Sequence, residues 1–143
     1  MANPLYDNLI SKNSNKNTCF LEQSGKAAVS FCQFSKRTNQ VANLLVKYGL
    51  RPGDRVAVQA AKTIEIIILY AATIQAGGVF LSLNTDYKKD EVAYFLRDAT
   101  PRIFVCDPYK VEDLKNVASQ VDSKILTADA HGKGSLMSEA NLM

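Results

Sequence analysis

Gly132-Lys133-Gly134-Ser135 is the nearest approach in this sequence to a phosphate-binding loop. Such a loop needs glycines whose backbone N–H groups close on phosphate oxygens, followed by Lys and a Ser or Thr at fixed offsets. Here the first glycine is missing at the required spacing and Gly134 takes the Ser/Thr slot, so a plain loop is expected. His131, the only histidine, adjoins this run and is expected in solvent rather than in catalysis. Asp107 precedes Pro108 and suits a helix N-cap better than a general base. Asp86, Asp90 and Glu91 cluster where a helix should begin, and the positive end of the helix dipole accounts for them. No nucleophile–base pair emerges, and no catalytic residue is assigned. Cys19, Cys32 and Cys106 have no CxxC spacing, and with one histidine they compose no zinc site. Cys32 and Cys106 stand beside Phe31 and Val105, as small core hydrophobes would, and a reducing, cytoplasmic compartment is expected.

The charge balance excludes other chemistry. Seventeen basic and 14 acidic residues leave only +3, scattered along the chain, which describes a solvated face and not a nucleic-acid surface. The longest apolar stretch, Ile64 to Ala76, is broken by Glu65, Thr73 and Gln75 and falls short of the ~20 residues of a membrane span. Met1 to Asn8 lacks the basic and then apolar order of a secretory signal. With 143 residues, 47% hydrophobic and 22% charged, the chain can close one compact core.

The elements that must position any site follow from periodicity and turn chemistry. Pro4 to Lys12 reads as a short helix with Leu5 and Leu9 on one side, followed by a polar loop. Thr18 to Glu22 and Ala27 to Phe31 read as a hairpin around Ser24-Gly25. Ser30 and Gln33 have capping-box spacing, so a helix should start there, with Phe34, Val41, Leu45 and Tyr48 on its inner face and Gly49 as its stop. Arg51-Pro52-Gly53-Asp54 has the residues of a type II turn and feeds a strand, Arg55 to Ala60. Thr63 to Ala76 is too long for a strand, and Gly77-Gly78 ends it as a helix cap. Val79 to Leu83 is an apolar strand and Asn84 to Tyr87 a loop. Val92, Phe95, Leu96 and Ala99 mark a helix from about Lys89. Arg102 to Cys106 is a strand. Val111, Leu114, Ala118 and Val121 line the next helix, and Lys124 to Thr127 is a last strand. The order β-α-β-α-β-α-β from Arg55 specifies an α/β fold, a parallel sheet with flanking helices plus an N-terminal hairpin. Residues 1–143 form one subdomain in this reading, with 128–143 a Gly- and Ser-containing flexible tail. No G-x-G-x-x-G follows any strand, so a dinucleotide-binding site is not expected.

Four stretches in order resemble the opening segment of the adenylate-forming, AMP-binding superfamily, which includes acyl-CoA synthetases, peptide-synthetase adenylation domains and luciferases. They are Ser30-Phe31, the run Gly49 to Ala57, the run Gly77 to Asn84, and the run Tyr94 to Ala99. The resemblance reaches from the N-terminal helix to about Ser135. Leu69 to Thr73, Leu83 to Tyr87, Val105 to Pro108 and Gly132 to Leu136 are most similar to malonyl-CoA synthetases. Ser82 departs from the proline usual in the family, which alters the exit of that strand.

The resemblance implies a two-step ligase reaction. A carboxylate attacks the α-phosphate of ATP, and coenzyme A then displaces AMP, with Mg²⁺ and cationic side chains stabilising the phosphoryl charge. The motifs that hold ATP and Mg²⁺ in the family do not occur here. The chain is therefore expected to be an N-terminal fragment, with no cofactor of its own, inactive alone, and partnered by the remainder of the enzyme. Isolated, it is expected to self-associate through the apolar residues near Ile64 to Tyr70 or the sheet edge. One loop invites more. The resemblance implies that Asn84, Thr85 and Tyr87 line the side where coenzyme A enters. Local chemistry reads the same residues as a turn, with Tyr87 packed at the sheet edge. Two other readings remain: an adenylation domain that loads a carrier protein, and a non-catalytic α/β interaction module.

Overall fold

The structure is a computed structural model that describes residues 3–143; Met1 and Ala2, the start of the segment read for a secretory signal, lie outside them. The described residues form helix α1 (Pro4–Leu9), strands β1 (Cys19–Leu21) and β2 (Val29–Ser30), and helix α2 (Phe31–Lys47). There follow β3 (Arg55–Gln59), α3 (Ile64–Gln75), β4 (Val79–Ser82), α4 (Lys89–Ala99), β5 (Ile103–Cys106), α5 (Val111–Gln120), β6 (Lys124–Thr127) and α6 (Ser135–Ala140).

Local chemistry sets the boundaries. Ser30 caps α2 through a complete capping box: its Oγ accepts from Gln33 N at 3.1 Å, and Gln33 Oε1 accepts from Ser30 N at 2.9 Å. Thr63 caps the Ile-rich α3, accepting from Ile66 N at 3.3 Å. Gly53 carries φ +89°, as the third position of a type II turn requires, and Asp54 N donates to Arg51 O at 2.9 Å. Replacing Ser30 with alanine should cost about 1 kcal/mol, read as a lower denaturant midpoint at unchanged slope.

β3, β4, β5 and β6 form one sheet in the order β4-β3-β5-β6, and each adjacent pair is parallel. The expected parallel sheet is thus present, and the antiparallel β1–β2 hairpin lies outside it. Successive strand residues point to opposite faces. Val56, Val58, Ile103 and Val105 pack against α2, α3 and α6. Ala57, Phe104 and Cys106 pack against α4 and α5. Burial of both faces explains why the inner strands read as continuous apolar runs.

Leu5 and Leu9 share one side of α1, and that side is exposed, at 46% and 54%, while Tyr6 and Ile10 enter the core. Two expectations are corrected. Cys32 is exposed rather than in the core, because it sits in the first turn of α2 on the side away from Phe34. Residues 128–143 are not a loose tail. Ala128, Leu136, Met137 and Ala140 are buried against the α2–α3 face, and the Tyr48 hydroxyl donates to the Glu139 carboxylate. The glycines there permit close packing instead of flexibility.

Candidate functional site

The Gly132–Ser135 stretch is filled by the protein itself. A Cβ on Gly132 would stand 2.7 Å from Glu65 Cγ, with the Glu65 carboxylate nearer still. That carboxylate lies 3.3 Å from Arg37 Nη2 and 3.8 Å from Lys26 Nζ. Ser135 spends its hydroxyl on Thr127, accepting from Thr127 N at 2.9 Å, and Ser135 N donates to Thr127 Oγ1 at 2.9 Å. An acidic wall against the glycine and a committed serine do not fit a phosphate, so this stretch offers the phosphates of ATP no seat. Asp129 organises the loop: the backbone N–H groups of Lys133 and His131 hold its carboxyl below the usual range. His131 is exposed, as expected, and its carbonyl accepts from Lys26 Nζ at 2.9 Å.

Asp107 and the acidic residues near 86–91 also take structural places. Asp107 accepts from Tyr109 N at 3.2 Å and caps a short 3-10 turn, Pro108–Lys110, ahead of α5. Asp90 and Glu91 lie in the first turn of α4, and Glu91 Oε1 accepts from Lys88 N at 3.1 Å. Cys106 is buried, and burial pushes its thiol up to about 12, so it is no nucleophile.

The topology points to another place. β3 sends the chain to β4 on one side, and β5 sends it to β6 on the other. In open α/β sheets, ligands settle at the strand C-termini where connections diverge in this way. A cleft of about 270 Å³ opens there, lined by Gln59, Thr85, Tyr87, Lys88, Lys89 and Lys110 among others. The loop 84–87, singled out from the sequence, forms its rim. Asn84 and Thr85 are exposed, while Tyr87 is half-buried and stacks on Phe95 with ring centroids 5.3 Å apart. Asn84 Oδ1 accepts from Asp86 N at 2.9 Å, and Tyr87 N donates to Asn84 O at 3.1 Å. The turn chemistry read from the sequence is therefore present.

Two residues of this site escaped sequence reading. Gln59 Nε2 donates to Asn84 O at 2.9 Å and to Tyr87 O at 3.1 Å. Lys110 Nζ donates to Thr85 O at 3.2 Å. A polar residue closing the apolar run Val56-Ala57-Val58 was the available signal for Gln59. Nothing local marks Lys110.

Comparison with known proteins gives this geometry a family. A family model described as AMP-binding enzyme matches residues 10–141. The structure of apo MatB from Rhodopseudomonas palustris superposes with a TM-score of 0.94 and is 39% identical, covering 99% of this chain and 28% of that one. Tyrocidine synthase 2 of Brevibacillus parabrevis is 30% identical over 94 residues, 66% of this chain and 3% of its own length. A probable CoA ligase, CCL9, of Humulus lupulus is 27% identical over 114 residues, 80% of this chain and 22% of its own. The chain thus spans well under two thirds of these relatives. By the match over 10–141, this chain belongs to the AMP-binding enzyme family.

Proposed function

We propose that this chain is the N-terminal subdomain of a longer, AMP-forming acyl-CoA ligase that acts on malonate or another short or medium carboxylic acid. The observation that carries this reading is the 39% identity to MatB across 99% of the chain. The match to a probable CoA ligase supports it further. The likeness to a peptide synthase is shorter, over 66% of the chain, and keeps a carrier-loading adenylation domain as the second reading. The proposed enzyme uses ATP and Mg²⁺ through residues outside this segment, and a relative of the same 39% identity is known as ATP-bound MatB. Its compartment is cytoplasmic, in keeping with three free thiols.

The 84–87 loop is the part of this chain proposed to serve the reaction. Coenzyme A, when bound, supplies the thiol that takes the acyl group. Asn84, Thr85 and Tyr87 would line its approach, with Lys88 and Lys89 adding positive charge to a cleft that Asp86 and Asp113 also line. The exposed polar side chains of Asn84 and Thr85, on a hydrogen-bonded turn, fit a polar ligand.

The test uses two proteins. The isolated chain is expected to release no pyrophosphate with any carboxylate and to bind no ATP at micromolar concentration by calorimetry. The longer enzyme is expected to form acyl-CoA. Micromolar ATP binding by the isolated chain, or acyl transfer to a carrier protein with indifference to coenzyme A, would overturn the proposal. We propose also that the isolated chain self-associates through the apolar face beside β4.

A further inference from the structure

Gln59 ends β3 with an amide where the three residues before it are apolar and buried. It is itself 0% exposed. Both amide hydrogens leave β3 and meet carbonyls of one other segment, Asn84 O at 2.9 Å and Tyr87 O at 3.1 Å. Those carbonyls are the two ends of the 84–87 loop. Between them the loop closes on itself through Tyr87 N to Asn84 O and Asp86 N to Asn84 Oδ1. Lys110 holds the middle of the loop at Thr85 O. A loop that follows the edge strand β4 is thereby fastened to the end of the inner strand β3 and to the 3-10 turn that follows β5.

Packing does not explain a glutamine here. Gln59 Oε1 is buried without a partner, and a buried amide with an unmet acceptor is less favourable than an apolar side chain of the same shape. Turning the amide over would press its oxygen against two carbonyl oxygens, so the two acceptors fix its orientation. The feature an apolar replacement could not supply is the pair of donors to the loop.

We infer that Gln59 is a positioning residue for coenzyme A use. It holds Asn84 to Tyr87 in the shape that presents Asn84 and Thr85 to the ligand, and it does not touch the ligand itself. This rests on the coenzyme A reading of the loop given above. Removing the donors frees the loop while leaving the sheet intact.

Gln59→Met keeps the volume and removes both donors. Lys110→Met reads the same loop from the cleft side without opening the core. In the full-length enzyme two rates are measured: thioester formation with coenzyme A varied, and carboxylate-dependent ATP–pyrophosphate exchange, which needs no coenzyme A. The KM for coenzyme A should rise roughly tenfold in Gln59→Met and about threefold in Lys110→Met, with exchange within about twofold of wild type. A lost fold would lower both rates together and leave KM unmoved. An unchanged KM in both variants, or a parallel fall of both rates in both, overturns the inference while leaving the ligase reading standing. A wild-type enzyme that exchanges pyrophosphate but forms no thioester overturns the coenzyme A reading, and the inference with it.

Discussion

Replacing Gly134 with alanine is expected to cost about 3–5 kcal/mol, the largest loss of the seven glycine-to-alanine changes. Gly134 has φ +151° and ψ −172°, a region that side chains avoid. A Cβ there would lie 2.6 Å from the Thr127 carbonyl carbon and 2.7 Å from Thr127 Oγ1, with the carbonyl oxygen nearer still. Backbone cannot yield as a flexible side chain can. β6 and the start of α6 would have to part, breaking the reciprocal Thr127–Ser135 bonds and loosening buried Leu136, Met137 and Ala140. Gly53→Ala is the control, since Gly53 has φ +89° but nothing within 4 Å of its would-be Cβ. It should cost only about 1 kcal/mol, the conformational part alone. Equal losses for the two variants in denaturant titrations would show that the overlap at Thr127 carries no energetic weight.

Light scattering on the isolated chain is expected to report a dimer or larger. β4 is an edge strand, and its outer row of backbone groups is free to pair with another chain. Beside it stand Val79 at 50%, Ile67 at 44% and Tyr70 at 41% exposure, and Tyr70 packs edge-on against Phe80 with centroids 5.3 Å apart. An apolar helix face next to an open strand edge lets one contact bury both. Tyr70→Glu combined with Val79→Lys places charge on the face and the edge, and should return a monomer with the fold retained by circular dichroism. A wild-type chain that is monodisperse as a monomer and ignores a hydrophobic dye would end this expectation.

Much of the fold was legible because its signals are local. The Ser30–Gln33 capping pair, the Pro52-Gly53 turn and the apolar periods of α2, α4 and α5 each act within a few residues, so sequence spacing reports them directly. The alternation of short apolar strands with helices then leaves a parallel sheet as the compact solution. Where the local signal was thin, sequence left the choice open. In the six-residue α1, spacing puts Leu5 with Leu9 on one side and Tyr6 on another, and only packing selects the buried one. The glycines at 132 and 134 look alike as flexible positions or as points of close packing, and only Glu65 and Thr127 distinguish the two.

The same division holds for the candidate site. Sequence by itself determined the loop 84–87, its turn chemistry and its place after an apolar strand, since Asn and Asp bond their own backbone whatever surrounds them. It also determined the order of helices and strands, which follows from short-range period and capping. Only the tertiary structure decided that Gln59, 25 and 28 residues away from its acceptors, would grip that loop, and that Lys110 would reach it from the far side of β3. Bonds from a side chain to a distant backbone carbonyl leave no periodic mark in sequence. They exist only once the sheet has set β3 between β4 and β5 and brought the three strand ends together.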